Sequence, residues 1–100
     1  MNTHSESILI RFKYLTTEKG FSEAEIRSDE NSNQSLILFK KNKLLIEITN
    51  SWDMGFAIRL KTKGKKSDRG ILIYSKSLGE MDSEFKYLDD GVNKVKSLIG

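Results

Sequence analysis

The sequence predicts an α+β fold: an antiparallel four- to five-stranded meander sheet with N- and C-terminal helices packed on one face. Three observations lead there. Apolar residues recur at helical spacing at both ends of the chain and alternate with period two between them. The links between the alternating segments are too short for crossovers, so neighbouring strands must run antiparallel. Two amphipathic helices and a sheet with one apolar face bury each other most economically as two layers. The 100 residues are expected to form one α+β domain, residues 1–100.

Ser5 to Lys19 reads as the first helix. Ile8, Phe12 and Leu15 form its stripe, Leu9 widens it, and Arg11, Lys13 and Glu18 lie off it. Ser5 suits the N-cap. Gly20 followed by Phe21 fits a left-handed residue after the last turn, with an apolar side chain folding back.

The period then changes. Phe21–Arg27 reads as a charged strand with Glu23 and Glu25 on one face and Ala24 and Ile26 on the other. Ser28–Gln34 is a polar loop, Ser35–Lys40 a strand, and Lys41–Asn42 a tight turn into a third strand, Lys43–Thr49. In that strand Leu44, Ile46 and Ile48 share one face, while Leu45, Glu47 and Thr49 share the other. Asn50–Gly55 is a second turn region. Phe56, Ile58 and Leu60 alternate with Ala57, Arg59 and Lys61, the pattern of a half-buried strand. Thr62–Gly70 is a basic loop. Ile71–Tyr74 is a short strand, apolar on both faces: either helices or loops cover both sides, or one side is a sticky strip for a second copy or a partner.

The last quarter returns to helix. Met81, Phe85, Leu88, Val92, Val95 and Ile99 step by four and three, predicting a helix over about residues 78–98. Ser77 with Glu80 resembles a capping box, and Asp82 or Ser83 offers another start. Asp89, Asp90 and Gly91 are poor helix formers, which marks a kink or break.

Composition narrows the chemistry. There is no cysteine, and the single histidine is His4, near an end expected to fray. That removes cysteine nucleophiles, Cys/His zinc sites and a well-placed imidazole base. Cysteine-free composition fits a reducing compartment. The start of the chain lacks the pattern of a secretory signal, and the longest apolar runs are too short to span a bilayer. A cytoplasmic protein without membrane attachment is the expectation.

The formal charge is +3, and residues 51–100 hold all of the excess. Arg59, Lys61, Lys63, Lys65, Lys66 and Arg69 gather around a single acid, Asp68. A phosphate-binding loop needs a glycine where Arg59 stands and a Ser or Thr where Lys66 stands, so that motif fails. No aromatic lies between Phe56 and Tyr74 to interleave with the cations, which makes a nucleic-acid platform a poor fit. The stretch is either a solvated hairpin loop or a loop that meets a partner. Trp52 and Asp53 sit in a turn, where the indole either anchors a partner or covers the end of the core.

Acidic neighbours occur at Glu23/Glu25, Asp29/Glu30, Asp82/Glu84 and Asp89/Asp90. Paired acids suit acid–base chemistry or a hard cation. Each pair also has a structural reading: a charged edge strand for Glu23/Glu25, a helix N-terminus for Asp82/Glu84. No set joins nucleophile, base and orienting group, so no enzyme, no cofactor and no metal site is expected.

A helix ending in Tyr14-Leu15 and Gly20-Phe21, then a strand–turn–strand with Asn42-Lys43-Leu44 leading into Ile46 and Ile48 and an Asp soon after, resembles small bacterial immunity proteins. These are cytoplasmic partners of toxins from contact-dependent growth inhibition and related systems. The resemblance covers about three quarters of the chain in pattern and rests mostly on apolar spacing. It implies a protein that binds and neutralises a cognate toxin domain, and it transfers no site residue. It also implies a toxin surface that is acidic or mixed, or contact through a locally acidic face such as Glu23, Glu25, Asp29 and Glu30. The alternatives are a nucleic-acid module using residues 59–69, or a homodimeric interaction protein. A monomer or weak homodimer is expected. The expected partner-binding residues are Trp52, Asp53, Arg59, Lys61, Lys63, Lys65, Lys66 and Arg69, on hairpin ends and the wet sheet face.

Overall fold

A five-stranded sheet in the order β1-β2-β3-β4-β5, every neighbouring pair antiparallel, carries the helices on one side. The computed structural model describes residues 3–29, 34–51, 55–62, 70–82 and 84–99. In chain order its elements are α1 (Thr3–Phe12), α2 (Tyr14–Thr17), β1 (Glu25–Asp29), β2 (Gln34–Lys41), β3 (Leu44–Ser51), β4 (Gly55–Thr62), β5 (Ile71–Lys76), a 3₁₀ turn (Leu78–Glu80) and α3 (Lys86–Ile99).

The first helix is divided at Lys13, and its stripe survives the division, since Ile8, Phe12 and Leu15 are all fully buried. Gly20 takes φ +77, the left-handed turn that glycine adopts without strain. Phe21 folds back as expected, buried to 5% exposure with its N–H donating to the Leu15 carbonyl at 2.9 Å. The strand that follows starts later than the sequence predicts, at Glu25. Ser22 is occupied locally: its N–H donates to the Lys40 carbonyl, its hydroxyl accepts from the Lys40 N–H, and its carbonyl accepts from the Thr16 hydroxyl.

Strands β2 and β4 extend one residue beyond the sequence pattern at each end, while β3 starts one residue later and ends two residues later. The β2–β3 turn falls at Asn42 and Lys43, one residue on from the expected place, with Asn42 at φ 53. Asparagine tolerates that left-handed conformation better than most residues. In register, Ile37 faces Ile48 and Ile48 faces Ile58, while Phe39 faces Ile46. All five are at most 1% exposed, and they form the sheet's half of the core. Between Ile58 and Arg59 the pairing with β5 shifts register, and Ile73 is the extra residue. The bulge lets Ile73 and Tyr74 both reach the core while Ile71 and Leu72 stay exposed.

The C-terminal stripe is not one helix. Ser77 and Glu80 make one arm of a capping box: the Glu80 carboxylate accepts from the Ser77 N–H at 3.2 Å and hydroxyl at 2.8 Å, while the Glu80 N–H donates to the Ser77 carbonyl rather than to its hydroxyl. They close only the 3₁₀ turn, because Phe85 adopts φ 63 and stops any helix running through it. Asp82 starts α3 instead, accepting from the N–H groups of Lys86 and Tyr87 at 3.1 and 3.2 Å. Met81 and Phe85 still pack on the core from outside the helix. No break occurs at Asp89-Asp90-Gly91, and α3 runs through as one helix. Gly91 is a close-approach site: a Cβ there would lie 3.0 Å from Ile58 Cδ1 and 3.4 Å from Tyr74 Cδ1.

Helices α1 and α3 are tied by Arg11, whose Nε bonds Asp89 at 3.0 Å and whose guanidinium lies over Phe85. Lys96 lies 4.9 Å from the Tyr14 ring centre in the same way. Burial pushes the Tyr14 hydroxyl up to about 12, and it finds no hydrogen-bond partner among the described residues.

Candidate functional site

The helices occupy one face of the sheet, and side chains of opposite parity along each strand project from the other. Two rows run across all five strands on that open face. The first reads Glu25, Leu38, Glu47, Arg59, Leu72, and the second Arg27, Leu36, Thr49, Ala57, Ser75. Beyond the second row Ser51 faces Gly55.

The composition of these rows shapes the surface. Thr49, Ala57, Ser75, Ser51 and Gly55 are small, while Arg27, Leu36, Arg59 and Leu72 around them are long. The result is a groove of about 820 Å³ lined by these residues together with Glu47, Lys76 and Ser77. That volume lies within the range of ligand-binding clefts, roughly 300–1,000 Å³. Its floor is backbone and short side chains; its rim is charged.

The charges are arranged in pairs. Glu25 accepts from Lys40 Nζ at 2.7 Å and from Arg27 at 2.9 Å. Those two bonds, the Lys40 one foremost, hold the Glu25 carboxyl below its ordinary range. Glu47 accepts from Lys61 Nζ at 2.8 Å, with both side chains largely shielded. Arg59 is the direct cross-strand neighbour of Glu47, yet the carboxylate bonds Lys61, and Arg59 makes no ion pair among the described residues. Leu38, between Glu25 and Glu47 in the row, is only 6% exposed although no helix covers it.

Of the residues expected to meet a partner, Arg59 and Lys61 are where the sequence places them, on the open face and half-buried. Trp52, Asp53, Lys63, Lys65, Lys66 and Arg69 lie outside the described residues. The groove floor was not anticipated. Its signal is nonetheless in the sequence: Thr49, Ser51, Gly55 and Ala57 stand at alternate positions of two adjoining strands, all of them small.

Four members of the acidic pairs have local partners, while Glu30 and the Asp29 side chain lie outside the described residues. Glu25 is ion-paired, Asp82 caps α3, Asp89 bonds Arg11, and Glu84 bonds Lys86 at 3.2 Å. Among the described residues no group of three or more His, Asp or Glu is placed to hold a metal ion. No helix among them is long and apolar enough to cross a membrane. Compared with known proteins, the chain matches no family model, no curated protein and no solved structure.

Proposed function

We propose that this chain is a binding protein rather than an enzyme, and that it acts as an immunity protein: it holds and neutralises a cognate bacterial toxin domain in the cytoplasm. One observation carries the binding half of this reading. Among the described residues no helix covers the second sheet face, and it presents a groove with a small-residue floor and a mixed-charge rim. Protein partners are recognised by such surfaces, where charge steers encounter and a few central contacts supply the affinity. The toxin half is supported by the sequence pattern from Tyr14 through Ile48 alone.

The test is co-expression of the full chain with the toxin-bearing protein encoded beside it. The reading expects a 1:1 complex stable to gel filtration and protection of cells from the toxin's growth arrest. If the purified chain instead binds an oligonucleotide, with affinity falling steeply as salt rises, the nucleic-acid alternative replaces it. A doubled mass in solution with no toxin complex replaces it with the homodimer.

A further inference from the structure

We infer that the groove on the open face is a receptor for an acidic side chain of the protein partner, with Arg59 as the group that binds its carboxylate. This rests on the reading of the chain as a protein binder and names the chemistry of what it binds. The charge pattern is the first support. On this face Arg27, Lys40, Arg59 and Lys61 stand against Glu25 and Glu47. Lys40 and Arg27 share Glu25, Lys61 takes Glu47, and Arg59 is the cation of this face with no ion pair among the described residues. Of the face's excess of two positive charges, one is held around Glu25 by Lys40 and Arg27 together, and the other stands at Arg59 in the groove lining.

The second support is the identity and setting of that cation. A guanidinium presents a planar fork matched to a carboxylate, and it is less strongly hydrated than an ammonium. Arg59 is half-buried, so an ion pair made there is shielded better than one at an exposed rim. Beside it Thr49, Ala57 and Ser75 leave room for a partner backbone to approach.

The same observations argue against other occupants. Two copies meeting through this face would bring like excess charge together. A nucleic acid would meet Glu25 and Glu47, and the described residues of this face include no aromatic ring for a base to stack on.

The experiment uses the ¹⁵N-labelled full chain, followed by amide NMR while a capped hexapeptide of alternating glutamate and serine is added. The expected shifts centre on Thr49, Ala57, Arg59 and Ser75. Affinity should fall at least about fivefold in Arg59→Gln, fall less in Arg59→Lys, and vanish for the peptide with glutamine in place of glutamate. Circular dichroism of each variant verifies that the fold is kept. Equal binding of the glutamine peptide, unchanged affinity in folded Arg59→Gln, or shifts confined to the helices would overturn the proposal. So would tighter binding of a single-stranded oligonucleotide at these amides, or shifts that track protein concentration without peptide. A cognate toxin that binds Arg59→Glu as tightly as the wild-type chain also sinks it, while leaving toxin neutralisation standing. Failure to bind any toxin, with the peptide result positive, sinks only the reading on which it rests.

Discussion

The two faces of the sheet are built from the same strands and differ in nearly everything else. On one, Ile37, Phe39, Ile46, Ile48 and Ile58 mesh with α1, α2 and α3 and are lost to solvent. Phe56 adds edge-to-face contacts to Tyr87 at 5.2 Å and Tyr74 at 6.1 Å between ring centres. On the other, small residues and ion pairs alternate and nothing from the helices lies over them. A period of two allows this, because each residue's parity decides which task it serves. The difference teaches where change is tolerated: substitutions on the helical face should cost more stability than those on the open face.

Neighbouring residues in β2 provide the sharpest way to break this comparison. Ile37 and Leu38 are both buried, at 0% and 6% exposure, yet on opposite faces. Ile37→Ala should cost about 2–5 kcal/mol, because a cavity opens in a core that relaxes only partly. Leu38→Ala should cost distinctly less, about 1–2 kcal/mol, since its neighbours on the open face are long side chains free to settle into the gap. Urea denaturation of the two variants measures the difference. Equal losses would mean that the open face holds a second core of its own.

Gly91 tests how closely the helical layer is seated. Gly91→Val should destabilise by about 1–3 kcal/mol, because even its Cβ would press on Ile58 and Tyr74. Thermal melts measure the loss. A Gly91→Val protein as stable as the wild-type chain would show that α3 lies less tightly against β4 than the 3.0 Å approach indicates.

Much of the helical face was legible in the sequence, since its side chains obey simple periods. Ile8, Phe12, Leu15, Leu88 and Val95 hold the positions that the stripes assign. Legibility ended where one local conformation overrode the period. Met81 and Phe85 continue the stripe of α3, but the positive φ at Phe85 takes both out of the helix while leaving them on the core. Gly91 reads as a helix breaker by propensity, whereas in the fold it is the point where α3 comes closest to the side chains of Ile58 and Tyr74. The groove was harder to read, because a concavity depends on register. Thr49 and Ala57 are unremarkable separately and make a floor only when β3 and β4 set them opposite each other.

Acid should weaken the two layers through different groups. The Lys86 N–H holds the Asp82 carboxyl below its ordinary 3.8, and on the open face Lys40 and Arg27 hold Glu25 below its ordinary 4.5. The Ser77 hydroxyl does the same for Glu80. Lowered carboxyl values contribute stability that is complete above the ordinary values and is lost as pH falls through the folded ones. Urea midpoints should therefore be flat from neutral pH to about 5 and decline below about 4.5. Asp82→Asn, which retains a capping oxygen without a titrating one, should shallow that decline. A slope unaltered by the substitution would remove Asp82 from the account.

The smallest effect concerns the competition for Glu47. That carboxylate faces Arg59 in register but bonds Lys61, and it is the acid closest in the sheet pattern to the unpaired guanidinium. Glu47→Gln removes its negative charge while keeping an oxygen for Lys61. Stability should change little, by about 1 kcal/mol, since the glutamine oxygen still accepts from Lys61. Affinity for the glutamate–serine peptide should rise roughly two- to fivefold, because the incoming carboxylate no longer meets a like charge beside Arg59. Calorimetric titration at low salt resolves a change of that size, and added salt should shrink it as screening grows. Lys61→Gln pulls the other way. It frees Glu47 to turn to its cross-strand neighbour, so the peptide should bind more weakly although Arg59 itself is intact. A loss in Lys61→Gln that vanishes when Glu47→Gln is also present would show that Glu47 regulates Arg59 through Lys61; additive effects of the two substitutions would mean that only the summed charge of the face matters.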